Sequence, residues 1–379
     1  MSITSIGKVA IIGAGPVGLT MARLLQQANI AVTVYERDEN PQARIWGGTL
    51  DLHKESGQRA LEKAGLLDAY YSIGIPMGRI IVDQQANHLF TKEPGLESPE
   101  INRNNLRKLL LNSLADNTVI WDRKFIALEE NRGKWLIHFE NQPDETADFV
   151  IGANGGMTKV RQYVTDAEVE ETGTIIIQGE ILQPEINCTR FFALCQGKIL
   201  MVAYNGILFA ANPTNNGALT YNVIFKKPDE SKTGFDLDLH KKETICNFLL
   251  EKFADWDDVF KALIHATSSF WGLPTKQIPL DKPWIHKRPL PITLIGDAAH
   301  LMGPFAGQGV NTGLLDALTL ADNLTQGKFE TIGQAIEDYE QKMFVYASAA
   351  QRDSCRNELE VLSPGFSIQQ LLQKFIRKS

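Results

Sequence analysis

Gly13, Gly15 and Gly18 form a GxGxxG, and a carboxylate, Glu36, follows 23 residues after the first of them. This combination suits a dinucleotide. Gly13 permits a tight turn, Gly15 lets backbone approach a pyrophosphate, Gly18 lets helix and strand pack closely, and Glu36 can accept from both hydroxyls of an adenosine ribose. The motif serves FAD and NAD alike. A second group lies near the other end, in Gly296-Asp297-Ala-Ala-His300-Leu-Met-Gly-Pro304-Phe305-Ala-Gly307-Gln308-Gly309-Val310-Asn-Thr-Gly313. There an acid at a strand end can hold a ribityl chain. The N–H groups opening the following helix direct positive dipole at whatever sits beside them. An isoalloxazine ring, whose N1 and C2 carbonyl carry negative charge once reduced, fits that description.

The elements that must position these residues are legible from periodicity. Val9 to Ile12 is a short apolar run of the kind a doubly covered parallel strand shows. Val17, Met21, Leu24 and Leu25 recur at helical spacing, and Ile30 to Tyr35 reads as a second strand ending in Glu36, which completes a βαβ unit. Ile292 to Ile295 is another strand, and a helix begins around Gly309 with Val310, Leu314, Leu318, Ala321 and Leu324 on its buried stripe. Ile332, Ala335, Ile336, Tyr339, Met343 and Phe344 continue at helical spacing, predicting one long helix to about Leu362 that braces two domains. Thr174 to Ile181, Ile199 to Ala211 and Gly217 to Phe225 read as strands of a largely antiparallel sheet, with Asn-Pro and Asn-Asn-Gly turns between them. The last segment, with Ile368, Leu371, Leu372, Phe375 and Ile376 beside Lys374, Arg377 and Lys378, is amphipathic and is expected to dock on the protein body.

Composition excludes several classes. At roughly 150 residues per domain, 379 residues give two to three domains, and 44% hydrophobic with 22% charged residues is ordinary for a packed globule. A net charge of -7 argues against a surface that tracks nucleic-acid phosphates. The four cysteines form no CxxC pair and have no clustered histidine partners, so neither a zinc site nor a disulfide framework is expected. No stretch approaches the 18 or so apolar residues of a membrane span, and no signal peptide is recognisable, so a cytoplasmic, monomeric protein without stable membrane association is expected.

The two motifs together resemble those of the group A flavin-dependent aromatic hydroxylases related to para-hydroxybenzoate hydroxylase. A third motif of that family, an Asp-Gly segment ending in Arg, matches Val150-Ile-Gly-Ala-Asn154-Gly-Gly-Met-Thr158-Lys-Val-Arg161, with Asn154 for Asp and Thr158 for Ser. Within the family, Tyr35-Glu-Arg-Asp, Ala43 to His53, Pro99 to Arg107 and Asn117 to Lys124 look like the tetracycline-inactivating monooxygenases, over about residues 8 to 372. The resemblance implies an α/β fold: a Rossmann-like FAD-binding domain (1–75, 99–173 and 275–325) interleaved with a β-sheet substrate domain (76–98 and 174–274). A long C-terminal bridging helix lies in segment 326–379. It implies noncovalent FAD, NADPH as co-substrate, and hydroxylation of a tetracycline or similar polycyclic enol or phenol through a flavin C4a-hydroperoxide, inactivating the antibiotic. The same chemistry on an endogenous aromatic or polyketide substrate is the alternative, and a non-catalytic flavin-scaffold binder is a third reading.

The family's roles carry over by position. Glu36 and Arg37 would hold the adenosine half of FAD, Arg103 the pyrophosphate or ribityl region, and Asp51 and Asp297 the flavin side. Gly307, Gln308, Gly309 and Val310 would form the loop against the ring, with Pro304 and Phe305 lining it. Arg44 matches the position implicated in NADPH use. No protein acid or base is required, because the chemistry belongs to the cofactor; His53 and His300 read as orienting or packing residues. Gln178 matches a substrate-contacting glutamine and Asn357 is retained. Ile199, Ala210 and Thr220 stand where the tetracycline enzymes carry Arg, Phe and His, and Val361 and Ile368 replace a Met and a Phe.

Overall fold

The computed structural model of the chain describes residues 6–43, 47–228, 237–366 and 368–376. The strand Val9–Ile12 (β1) is buried at every position, and it leads through the glycine turn into the helix Pro16–Gln27 and on to Val32–Tyr35 (β2). Thr49–Asp51 (β3), Arg79–Val82 (β4), His88–Lys92 (β5) and Glu100–Asn102 (β6) come next, followed by the helix Arg103–Leu111 and Val119–Ile120 (β7). Phe125–Asn131 (β8), Lys134–Phe139 (β9) and Gln142–Ala147 (β10) form an antiparallel three-stranded sheet. Phe149–Gly152 (β11) returns to the centre. Glu170–Leu182 (β12), Ile199–Tyr204 (β13), Ile207–Asn215 (β14), Ala218–Lys226 (β15) and Ser269–Gln277 (β16) belong to the large sheet, and Ile292–Leu294 (β17) precedes the C-terminal helices.

Four sheets result. The parallel sheet has the order β17-β11-β1-β2-β7, with Ile12 opposite Tyr35 on one side and Gly152 on the other. The seven-stranded sheet runs β16-β12-β15-β14-β13-β4-β5 and is antiparallel except where β13 meets β4. β3 and β6 pair as a separate antiparallel ribbon, joined by side-chain hydrogen bonds to the seven-stranded sheet. The helices Gly309–Thr325 and Ile332–Val361 follow β17; the second begins with a capping box in which Thr331 and Gln334 satisfy each other's backbone N–H. The architecture is the α/β arrangement expected, with a long C-terminal helix.

The large sheet has two different faces because side chains alternate along each strand. Ile175, Ile177 and Ile181 of β12, Phe209 of β14 and Tyr221 and Val223 of β15 point into an aromatic core closed by Phe191, Phe253, Trp256 and Phe260 from the covering helices. Each such fully buried side chain contributes roughly 1.5–3 kcal/mol. The alternate residues, including Gln178, Asn222 and Ala210, face the other way.

Two sequence expectations change here. Ile199 to Ala211 is two strands, split by Asn205 and Gly206, which take φ of 47° and 72° and so form a two-residue hairpin turn. The Asn-Pro pair is no turn: Asn212 and Pro213 lie within β14, where the register shifts between Asn212 and Asn215. A bulge leaves an N–H unpaired, so proline is tolerated there. The C-terminal helix Ile368–Ile376 does dock: Ile368 and Leu372 pack against a cluster containing Ile81, Ala203, Val361 and Phe366.

Candidate cofactor cleft and the facing sheet

A cleft of about 780 Å³ runs from the β1 turn to the N-terminus of the Gly309–Thr325 helix. Gly13, Gly15, Glu36, Arg37, Asp51, Arg103, Asp297, Pro304, Gly307, Gly309 and Val310 all line it. Gly18 and Gln308 do not. Gly18 lies beneath the turn, where a Cβ would stand 2.2 Å from the Gly13 carbonyl oxygen, so its absence of a side chain is what lets the helix approach. Gln308 caps the later helix, its carbonyl accepting from Thr312 N. Arg44 lies outside the described residues.

The glycine loop is open towards the cleft. Gly13 has φ of +113°, and a side chain there would meet Ala153 backbone at 2.6 Å; a Cβ on Gly15 would meet nothing within 4 Å, because that direction is the cleft itself. The helix that follows has no side-chain cap, so its positive N-terminal end faces the same space. Glu36 is buried, its Oε2 accepting from Ala14 N at 2.6 Å and its Oε1 from Asp38 N at 3.1 Å. Arg37 is exposed at the rim.

Arg107 has a place here that sequence reasoning did not assign. Its Nε donates to Ala14 O at 3.1 Å, its Nη2 pairs with Asp38 at 2.9 Å and approaches Glu36 at 3.9 Å, and its guanidinium lies over Trp121. It ties the glycine loop to the acidic end of β2 from 93 residues away. Its signal was its place at the end of the Pro99 to Arg107 segment, in the helix Arg103–Leu111 that follows β6.

At the other end of the cleft the loop around Asp297 is held by a buried carboxylate. Asp316 Oδ2 accepts from Gly296 N and meets His300 Nε2, both at 2.7 Å, while its Oδ1 accepts from Tyr346 at 2.6 Å. Gly296 has φ of 64° and ψ of -146°, a conformation essentially reserved for glycine. Burial pushes the His300 imidazole towards neutrality, but the Asp316 charge and hydrogen bond prevail and raise its pKa above the ordinary 6.5. Asn311 supplies a second staple: it accepts from His53 N at 2.7 Å and donates to Asp51 O at 3.0 Å and Gly307 O at 3.3 Å. Segments 260 positions apart are thus locked side by side. Arg161 lies outside the cleft, donating to Ala298 O and Gly156 O, with burial lowering its pKa to about 10. Thr158 Oγ1 accepts from Val160 N, the local turn role a serine would also fill.

The fit to a flavin dinucleotide rests on unpaired polar atoms. Arg103 Nε, Arg123 Nε and Asn154 Oδ1 are buried without a protein partner, and all three residues line the cleft. Burying such groups unsatisfied costs roughly 1–3 kcal/mol each, so the cleft is built to be completed by a ligand. Burial lowers the Arg103 pKa, and Asp297 partly offsets this. A polyanionic pyrophosphate and a polyol chain suit this set of donors and uncapped helix ends.

The predicted substrate residues lie on the facing sheet and around the ring loop. Gln178, Ile199, Ala210 and Thr220 share the face opposite the aromatic core, as the register places Gln178 across from Asn222 and Ala210 across from Asn222 on its other side. Thr220 is buried and its hydroxyl bonds to Asn215 Nδ2 at 3.2 Å. Asn215 in turn accepts from Asn102 at 2.6 Å, Asn212 donates to Thr49 at 2.9 Å, and Thr49 donates to Glu100, which pairs with Arg79. This network fastens the sheet to the β3-β6 ribbon. Asn357 Nδ2 donates to Phe305 O at 3.1 Å, and Ser354 donates to Gly303 O, so the long helix holds the ring loop from behind.

A family model described as an FAD binding domain matches residues 7–351, and the chain belongs to that family. Among curated proteins it is 27% identical to monooxygenase penA of Penicillium thymicola, over 95% of this chain and 96% of that protein. It is 26% identical to kynurenine 3-monooxygenase of Flavobacterium johnsoniae, over 98% and 84%. Among solved structures it resembles tetracycline destructase Tet(51), with a TM-score of 0.74 and 19% identity, covering 99% of this chain and 96% of that one. The protein is therefore an FAD-dependent monooxygenase of mixed α/β fold. No helix among the described residues is long and apolar enough to cross a membrane.

Proposed function

We propose that the protein uses NADPH and oxygen to hydroxylate an electron-rich polycyclic enol or phenol, with a tetracycline as the leading substrate. The observation that supports this reading is the Asn311 staple, which bonds to His53 N, Asp51 O and Gly307 O and so holds side by side two segments that line the cleft together with Asp297. In this assignment Glu36 and Arg37 hold the adenosine, and Gly13, Gly15, Arg103 and Asn154 surround the pyrophosphate and ribityl chain. Asp51 and Asp297 flank the flavin. The N-terminus of the Gly309–Thr325 helix, with Gly309 and Val310 lining the cleft, would set its positive dipole beside the flavin and so favour the anionic reduced ring, while Gly307 N–H holds the loop by donating to Pro304 O at 3.1 Å. When bound, the flavin supplies oxygen activation and transfer. The chain contributes orientation and a wall that includes Met302 and Pro304, which would keep water from the reacting face.

Arg44, from its motif position, pairs with the NADPH phosphate. Residues 1–75, 99–173 and 275–325 are assigned to the cofactor and 76–98 with 174–274 to the substrate. Ile199, Ala210 and Thr220, which lack the longer side chains of the tetracycline enzymes, favour a second reading: the same chemistry on an endogenous aromatic or polyketide substrate. Incubation of purified yellow protein with NADPH, oxygen and a tetracycline panel decides between them. A mass gain of one oxygen on a tetracycline supports the first, and NADPH oxidation stimulated by simple phenols alone supports the second. Colourless protein that cannot be reconstituted with FAD refutes both.

A further inference from the structure

Of the described methionines, Met21 and Met343 are fully buried and Met77 nearly so, while Met201 packs against the cluster of Ile81, Ala203, Val361 and Phe366. Met157 and Met302 differ from these. Both line the cofactor cleft, and theirs are the only sulfur atoms among its lining residues. They stand on different segments. Met157 is 68% exposed and belongs to the stretch after Asn154, whose backbone meets the glycine turn at Gly13. Met302 is half-buried on the ring loop, between Asp297 and Pro304.

The loop holds Met302 in place from both sides. Leu301 O accepts from Ile278 N at 3.0 Å and from Gln351 Nε2 at 3.3 Å, and Gly303 O accepts from Ser354 Oγ at 2.5 Å. The Leu301 side chain is turned against Gly156, where a Cβ would meet it at 2.5 Å, while Met302 lines the cleft. The thiols of the chain are poor competitors for an oxidant formed there. Cys188 and Cys195 lie in the aromatic core of the large sheet, where burial pushes the Cys188 thiol up to about 11 and raises Cys195 as well. Burial also raises Cys246, and Cys355 is exposed on the long helix without lining the cleft. A protonated thiol reacts slowly with peroxide, whereas a thioether carries its nucleophilic lone pair at any pH.

We infer that Met302 is a self-oxidation site: when the reduced enzyme meets oxygen with no substrate bound, hydrogen peroxide released in the cleft passes one oxygen atom to the Met302 thioether. This rests on the monooxygenase reading of the site and deepens it, by naming where the oxygen goes when nothing is there to be hydroxylated. Two electrons and two protons convert oxygen to hydrogen peroxide. A sulfur lone pair then attacks one peroxide oxygen; the S–O bond forms, the O–O bond breaks, and the departing hydroxide takes the proton left on the transferred oxygen to give water. Sulfur is oxidised by two electrons and the peroxide is reduced by two. The sulfoxide puts a polar oxygen into a wall that had been apolar, and methionine sulfoxide reductases remove it, so the change is reversible.

The test takes FAD-loaded enzyme, reduces it stoichiometrically with dithionite under argon and exposes it to oxygen, over repeated cycles in the dark without substrate and with catalase present. Mass spectrometry then follows the peptides that contain Met157, Met302 and Cys355. Met302 is expected to gain one oxygen to an extent at least about fivefold above Met157, with Cys355 unchanged and the gain reversed by methionine sulfoxide reductases. Hydrogen peroxide added to enzyme that was never reduced, without catalase, should instead oxidise the more exposed Met157 at least as far as Met302. The Met302→Leu variant should show no gain on that peptide. An unmodified Met302 after the flavin has been reoxidised, equal oxidation of Met157 under catalase, or the same preference for Met302 with added peroxide overturns the inference. Failure of the underlying reading is separately visible, as protein without a flavin spectrum.

Discussion

In the cleft, Arg103 Nε and Asn154 Oδ1 are buried with no protein partner, whereas the polar side chains that join the facing sheet to the β3-β6 ribbon are paired, Asn212 with Thr49, Thr49 and Arg79 with Glu100, and Asn102 with Asn215. Both regions are polar and largely sheltered. The first keeps its hydrogen-bonding capacity for a ligand, and the second spends it on holding two sheets in register. An unpaired buried group makes the protein less stable alone and the complex tighter, so substitutions in the two regions should have opposite signatures.

The largest effect is expected at Asp316. Asp316→Ala strands His300, Gly296 N–H and Tyr346 in a fully buried site, and breaking such a site typically costs about 3–5 kcal/mol. Urea unfolding should report that loss, together with release of FAD as the Asp297 loop relaxes. A variant with wild-type midpoint and flavin content would show that the loop does not depend on this anchor.

Arg103→Met should separate binding from stability. The apo protein is expected to keep or slightly gain stability, because a buried unpaired donor is removed. FAD binding should weaken by roughly 1.5–3 kcal/mol, about ten- to over a hundredfold in dissociation constant. A marked fall in apo stability with unchanged FAD affinity would move Arg103 into the bracing class.

Asn215→Ala should do the reverse, since Asn215 links Asn102 to Thr220. We expect a stability loss of about 1 kcal/mol with FAD affinity changed little. A large change in FAD affinity at constant stability would erase the distinction between the two regions.

The smallest effect is one of pH. The His300 pKa is raised in the folded state, so its contribution is fully present below the ordinary value near 6.5 and is lost as pH rises through the higher folded value. The stability difference between wild type and His300→Asn should therefore be greatest in mild acid and shrink in alkali. A difference that grows with pH would mean that His300 is neutral beside Asp316.

Motif residues were legible from the chain because their roles are local. The GxGxxG turn, the strand before it and the glycine at position 296 act through backbone conformations that neighbouring residues dictate, and the helical stripes of Gly309–Thr325 and Ile332–Val361 follow from a 3.6-residue period. The hairpin at Asn205-Gly206 was equally local, and its break was hidden by the apolar run on both sides. Tertiary structure decided the rest. Whether Thr220 or Asn222 is free for a ligand depends on Asn215 and Asn102, and that Asn311 staples Asp51 to Gly307 depends on residues 260 positions apart meeting in space. The period-two alternation puts Thr220 and Asn222 on one face alike. Only the packing of a distant ribbon against one of them makes it a brace and leaves the other unpaired.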